Sequence, residues 1–326
     1  MTARLAFSLA DAAGFDPAFL DDVLCGLAAP QKVLPARWLY DRRGSELFEA
    51  ITHLPEYYPT RTERTILERN AADIAQLIGP AHAVIEFGAG SASKTPLLLS
   101  TIEPSMYVPI DISGDYLHES TQTLSRIFPD LPMHPVVGDF TCPLQLPPLG
   151  ASPRLGFFPG STIGNLVAPM AVNLLRTMAS TLGADAKLLI GIDRIKSTEV
   201  LIPAYSDGQG LTAEFNRNLL HRINRELAGD IPVEAFQHRA PWNDREARIE
   251  MHLEAARDVS FSVAGQRFQM LAGETIHTEN SLKYGPRDMH LLLSAGGWTP
   301  LKEWHDDAQF FTVVLAQVAD AKAMHP

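Results

Sequence analysis

The residues best suited to chemistry stand where short apolar runs end. Ala83-Val-Ile-Glu-Phe87 runs into Gly88-Ala-Gly90, Tyr107-Val-Pro-Ile110 ends on Asp111, and Pro135-Val-Val137 is followed by Asp139-Phe140. A nucleoside needs such a set: glycines admit its backbone closely, one acid accepts both ribose hydroxyls, and another takes the adenine amino group. Taken alone, the glycine pair is equally a tight turn, and a dinucleotide oxidoreductase would share the glycines and an acid near position 111. Two details separate the readings. Ser93 replaces the third glycine of the dinucleotide fingerprint, and Glu86 would lie where a pyrophosphate sits, repelling phosphate and suiting a cation. S-adenosylmethionine carries a sulfonium and an ammonium, and Lys94 in the following helix is available to its carboxylate, although Lys94 alone also reads as a solvated helix residue. The pattern therefore favours a methyl donor over a nicotinamide cofactor.

Positioning these residues requires parallel strands separated by helices. The apolar runs above, with Leu155-Gly-Phe-Phe158 and Leu188-Leu-Ile-Gly-Ile192, read as five buried strands of an open α/β sheet. Ligands of such sheets bind beyond the carboxyl ends of the strands. Thr62 to Leu77 reads as a helix, Arg287 to Ser294 as another, and Phe310 to Leu315 as a strand closing the same sheet in a hairpin edge. Between Ser197 and Gly285 the grammar changes. A helix through Thr212 to Leu227 precedes Arg248-Ile-Glu-Met-His-Leu-Glu-Ala255, which alternates as a half-buried antiparallel strand, and a hairpin from Val259 to Met270 turns at Gly265. The expected domains are 61–195 with 287–326, and an inserted α+β domain of 196–286 joined by 1–60. Pro143 to Pro153 reads as a surface loop.

The 326 residues are 46% hydrophobic, enough for a substantial core, and the net charge of −11 is opposite to what a polyanion-binding surface needs. Nucleic acid is not an expected partner. Cys25 and Cys142 stand far apart, giving neither a disulfide framework nor a metal-ligand spacing, and a reducing cytoplasm fits. Arg4 and a short apolar stretch interrupted by Asp11 make no signal peptide, and no apolar run approaches membrane-spanning length. The sequence says nothing of assembly, with a monomer as the default expectation.

Six separated motifs carry a resemblance over nearly the whole chain from Leu34. They are Arg37-Trp-Leu-Tyr-Asp41, Leu54-Pro-Glu-Tyr-Tyr-Pro-Thr-Arg-Thr-Glu63, Gly160-Ser-Thr-Ile-Gly-Asn-Leu166, Thr212-Ala-Glu-Phe-Asn-Arg-Asn218, Arg248-Ile-Glu-Met251 and Thr278-Glu-Asn-Ser-Leu-Lys283. In this order the chain resembles the L-histidine Nα-methyltransferases of ergothioneine biosynthesis, which make the trimethylammonium betaine of histidine. The resemblance implies a Rossmann-like class I methyltransferase sheet with an inserted substrate domain, S-adenosylmethionine as donor and no metal. It further implies that Tyr57, Asn165 and Tyr205 hold the amino acid's amine and carboxylate, that Glu279 and Ser281 hold its imidazole, and that Met251 lies beside the ring. Gly88, Lys94, Asp111, Asp139, Phe140 and Gly160 become the cofactor contacts.

Each residue has a plainer reading. Tyr57 and Tyr58 would pack between prolines, Asn165 would cap the helix beginning near Pro169, Met251 would be core, and Glu279 a solvated strand residue. A carboxylate paired with an imidazole N–H, however, selects histidine by a charge-assisted bond. The chemistry asks mainly for alignment and for loss of a proton from the acceptor ammonium, with Tyr40 and Tyr57 as the candidate relays. The competing readings are an acceptor such as tryptophan, which Glu279 argues against, and a catalytically silent amino-acid or nucleoside binder.

Overall fold

A computed structural model of the chain describes residues 14–90, 94–142 and 144–319. It divides into two compact units.

The larger unit takes Glu49–Ala204, Trp242–Ile249 and the described residues from Asn280 onward. Its seven-stranded sheet has the order Trp298–His305, Phe311–Val318, Lys187–Asp193, Arg154–Phe158, Ala83–Phe87, Met106–Asp111, Val136–Val137. The last five strands are parallel, while Phe311–Val318 runs antiparallel to both of its neighbours. The expected strands all form, and the C-terminal pair closes the sheet as a hairpin with Trp298–His305 at the edge.

Successive side chains of a strand point to opposite faces, and both faces here are apolar. Ile85, Phe87, Phe158 and Ile190 enter one core with the helices Ala168–Leu182 and Pro286–Ala295, whereas Val84, Phe157, Leu189 and Val313 enter another with Ile66, Leu98 and Leu99. From the central strand Ala83–Phe87 the chain first adds strands on one side, then returns to pair Arg154–Phe158 on the other. That reversal marks the topological switch point, the place where open α/β sheets bind their ligands. The segment expected as one helix from Thr62 is two, Tyr58–Arg69 and Ala71–Ile78, because the Asn70 side chain donates to the Ile66 carbonyl and ends the first.

The smaller unit takes the described residues up to Phe48, Tyr205–Pro241 and Glu250–Glu279. Met251, Leu253 and Ala255 are buried while their alternating neighbours are partly exposed, as a half-buried strand requires. The hairpin of Val259–Val263 with Gln266–Met270 turns at Ala264 and Gly265, both at positive φ. The helix Leu211–Glu226 covers the expected span. The helix Pro17–Ala28, capped by the Asp16 carboxylate at the N–H groups of Ala18 and Phe19, was not anticipated.

The seams fall differently from those drawn on the sequence at 60 and 195. Glu49–Thr60, Lys196–Ala204 and Asn280–Pro286 join the sheet-bearing unit. Tyr58, Lys196 and Lys283 each bond to Asp193 at the end of a central strand, which ties these segments to the sheet. Among the described residues, no helix is long and apolar enough to cross a membrane.

Candidate active site

At the end of Ala83–Phe87, Gly88 and Gly90 have φ of +74° and +49°, conformations glycine enters without strain. The N–H groups of Gly88 and Ala89 both donate to the Ile110 carbonyl, at 2.9 and 3.0 Å, and the Gly90 N–H donates to Asp111 Oδ2 at 2.9 Å. Asp111 thus fastens the glycine turn to the neighbouring strand. A methyl group on Gly88 would stand 3.3 Å from Phe140 Cε1, so the Phe140 ring lies against bare backbone, propped edge-on by Phe158 at 5.6 Å between centroids. Asp139 Oδ1 accepts from the Thr141 N–H and hydroxyl at 2.9 and 2.6 Å, fixing the turn that presents Phe140. Of the expected cofactor residues, Gly88, Asp111 and Phe140 are therefore gathered at adjoining strand ends, with Asp139 next to Phe140.

Lys94 and Gly160 form a second group. Gly160 has φ +80°, and a methyl group there would stand 3.6 Å from Lys94 Nζ. The counter-charge of Lys94 within the chain is Glu63, whose carboxylate, only 1% exposed, pairs with the ammonium and also accepts from the Gly160 N–H at 2.8 Å. Glu63 fits there because position 191 is glycine: a methyl group on Gly191 would fall 1.9 Å from Glu63 Oε1. The groups match a nucleoside bearing an amino-acid tail, with a flat ring beside side-chain-free backbone, an acid one strand away, and an ammonium beside a second bare glycine.

Glu86 corrects the sequence reading. Expected to face a cation, it is 1% exposed and lies on the Val84 face of its strand, accepting from the Tyr107 hydroxyl at 2.6 Å and the Thr95 hydroxyl at 2.8 Å. Burial pushes its carboxyl up to about 7, against the pull of those two donors. Ser93, the other residue used against a dinucleotide, lies outside the described residues.

The residues expected to hold the acceptor are distributed over both units. In the larger one, Tyr57 is buried at the entry to the helix Tyr58–Arg69. Asn165 closes the 3₁₀ turn Thr162–Asn165, and the helix Ala168–Leu182 has Val167 at its N-cap with no side-chain cap, which removes the capping role for Asn165. Ser281 Oγ accepts from Lys283 Nζ at 2.7 Å. In the smaller unit, Tyr205 is buried and its carbonyl accepts from His238 Nε2 at 2.7 Å. Met251 is 2% exposed on the apolar face of its strand. Glu279 is 8% exposed and accepts from the Tyr40 hydroxyl at 3.2 Å, so it is no solvated strand residue.

Several supporting residues went unrecognised. Glu63 holds Lys94, Asp193 holds Tyr58, Lys196 and Lys283, and Asp41 accepts from Asn218 Nδ2 at 2.7 Å. Asp41, Glu63, Asn218 and Lys283 are each the last residue of a quoted motif, so the signal lay in where the motifs stop.

A model of the family described as histidine-specific, S-adenosylmethionine-dependent methyltransferases matches residues 19–318. The chain is 40% identical to the histidine N-alpha-methyltransferase of Mycolicibacterium smegmatis and 39% identical to that of Mycobacterium tuberculosis, each match covering 90% of this chain and 93% of the relative. It is 29% identical to ergothioneine biosynthesis protein 1 of Neurospora crassa over 87% of this chain and 33% of that longer protein. With a family match running from the helix Pro17–Ala28 to the strand Phe311–Val318 and glycine turns at the switch point of a mostly parallel sheet, the chain belongs to the S-adenosylmethionine-dependent histidine-specific methyltransferases.

Proposed function

We propose that this protein methylates the α-amine of L-histidine three times, giving Nα,Nα,Nα-trimethylhistidine (hercynine) for ergothioneine biosynthesis. The observation that carries the acceptor is Glu279, a carboxylate 8% exposed with the Tyr40 hydroxyl as a donor. A carboxylate accepts hydrogen bonds at both oxygens; the Tyr40 hydroxyl orients Glu279, and an imidazole N–H is the donor that a histidine would bring. An indole offers one N–H and no ring acceptor, whereas an imidazole offers both; Glu279 with Ser281 reads the latter.

S-adenosylmethionine, when bound, supplies an already activated methyl group. Gly88, Asp111, Asp139 and Phe140 are proposed to hold its nucleoside, and Lys94 with Gly160 its amino-acid end. The Glu63 carboxylate, which also accepts from the Gly160 N–H, holds the Lys94 ammonium beside that glycine. Tyr57, Asn165 and Tyr205 are proposed to hold the amine and carboxylate of histidine, with Met251 packing near the ring. The amine attacks only when neutral, and Tyr40 and Tyr57 are the proposed proton relays. A proton taken at the Tyr40 hydroxyl has Glu279 next in line. Positioning supplies most of the rate, and aromatic faces accommodate the growing cation through later transfers.

Incubation with S-adenosylmethionine and each standard amino acid, followed by mass spectrometry, is expected to show one, two and three added methyl groups on histidine alone. Methylation of tryptophan instead would move the acceptor, and no mass gain on any amino acid would leave a silent binder. Calorimetry is expected to show histidine affinity falling at least about 10-fold in Glu279→Ala, the loss of one charge-assisted bond; undiminished affinity would sink the acceptor assignment.

A further inference from the structure

A cavity of about 140 Å³ lies in the sheet-bearing unit, just beyond the carboxyl end of the strand Lys187–Asp193 and against the first turn of the helix Pro286–Ala295. None of the residues assigned above to donor or acceptor lines it. One ordered water needs roughly 10–15 Å³ of such space, so the cavity is large enough for a small molecule. Buried Met289 and Thr312 belong to its wall, and the Thr312 hydroxyl is bonded to His305 Nδ1 at 2.9 Å.

Arg194 and Tyr284 stand side by side in the wall as partners of a parallel bridge. The Tyr284 N–H donates to the Asp193 carbonyl at 3.0 Å, and the Ile195 N–H donates to the Tyr284 carbonyl at 3.3 Å. The Tyr284 side chain is only 6% exposed, and its buried hydroxyl has no hydrogen-bond partner among the described residues. A buried donor without an acceptor is costly to keep. Burial pushes this phenol well up, so it is a neutral donor at any physiological pH. The Arg194 guanidinium donates from Nη1 to Gln309 Oε1 at 2.6 Å, and no carboxylate among the described residues pairs with it. That bond uses one of its five N–H donors.

The helix Pro286–Ala295 adds a third contribution. Gly285 at its N-cap and Pro286 at its first position line the cavity, and no side chain caps the turn. Its unsatisfied N–H groups and the positive end of its dipole favour an anion. Asp288, in the same turn, is not part of the wall; a methyl group on Gly285 would stand 2.9 Å from its Oδ2. The carboxylate that does line the cavity, Glu303, faces histidines of the chain with both oxygens: Oε1 pairs with His290 Nε2, and Oε2 stands 3.6 Å from His305 Nε2.

We propose that this cavity is a binding site for a compact oxyanion, a small carboxylate or phosphate, held by the Arg194 guanidinium, the Tyr284 hydroxyl and the first N–H groups of the helix Pro286–Ala295. A planar guanidinium matches the paired oxygens of either group, and the anion gives Tyr284 the acceptor that the chain does not. The strand Arg154–Phe158 separates Lys187–Asp193 from the strand that carries the glycine turn. Occupation of the cavity therefore does not depend on which acceptor is methylated.

Thermal melting of the full chain in inorganic phosphate or in acetate tests the site, with sodium chloride holding the ionic strength constant. S-adenosylhomocysteine and L-histidine are kept in excess to fill the proposed donor and acceptor sites. The melting temperature is expected to rise saturably with at least one of the two anions; a rise with phosphate alone assigns a phosphate, and a rise with acetate a carboxylate. The half-saturating concentration should increase about tenfold in Tyr284→Phe and in Arg194→Gln, each the loss of one charge-assisted bond. Tyr284→Phe keeps the ring and removes the unpartnered hydroxyl, so without added anion it should melt no lower than the parent. Should Arg194→Gln fail to fold, Arg194→Lys, which keeps the charge and loses the fork, takes its place. No saturable rise with either anion overturns the proposal, and so does a rise that either variant retains undiminished.

Discussion

Among the described residues of the sheet-bearing unit, three carboxylates are almost wholly buried, and they differ in how many described ammoniums they touch. Glu86 touches none and is satisfied by two hydroxyls, Glu63 pairs with Lys94, and Asp193 lies between Lys196 and Lys283. Glu86 and Asp193 lie in strands of the same sheet at exposures of 1% and 0%, yet burial lifts the first to about 7 while two cations pull the second down. Depth alone does not decide the charge of a carboxyl; what stands within hydrogen-bonding distance does. The neutralisable acid props the sheet, while the two carboxylates beside ammoniums anchor Lys94, Lys196 and Lys283.

The largest effect that sharpens this contrast is expected from Asp193→Ala. It strands two buried ammoniums, and denaturant unfolding should show a loss of about 3–5 kcal/mol; a loss under about 1 kcal/mol would mean the lysines find solvent or another partner. Glu86→Gln should act in the opposite direction. With its carboxyl raised from 4.5 to about 7, the native chain holds a proton that the unfolded chain releases between those values. The associated stability is complete below pH 4.5 and lost as pH rises through 7. Urea titrations across pH 4–8 should show that slope in the parent and a flatter one in Glu86→Gln, which at pH 8 should be the more stable by about 3 kcal/mol. The smallest effect is expected from Tyr107→Phe, which removes one of two donors to Glu86 and should cost about 1 kcal/mol at pH 8. Its pH–stability slope should shift upward, because the hydroxyl favours the ionised form.

How far such contrasts were legible differs between fold and site. Parallel strands buried on both faces are continuous apolar runs, so Ala83–Phe87 and Lys187–Asp193 announce themselves, and glycines and acids at strand ends pointed to Gly88, Asp111 and Asp139. The direction of the acid inside a strand was not announced. Glu86 was taken to face a ligand, but it follows Ile85 by one residue and so turns to the opposite face of the pleat, where Tyr107 and Thr95 wait. Glu63 and Asp193 were missed because their partners lie far along the chain, Lys94 thirty-one positions from Glu63 and Tyr58 one hundred and thirty-five from Asp193. A single sequence carries no record of such pairings. The motif-borne residues Tyr57, Asn165 and Glu279 were reached through resemblance; the local pattern around each favoured packing, capping and solvation.

The helix Tyr58–Arg69 has a consequence of its own. Tyr58 in its first turn bonds to Asp193, and Glu63, five residues on, holds Lys94 and the Gly160 N–H. One rigid cylinder thus acts as a ruler, its two marks about 7.5 Å apart along the axis and about 140° apart around it. The spacing is set by the pitch of a helix and leaves no loop to absorb an error. One residue inserted between the marks would turn the second through about 100° and carry the Glu63 carboxylate off the gap that Gly191 leaves for it.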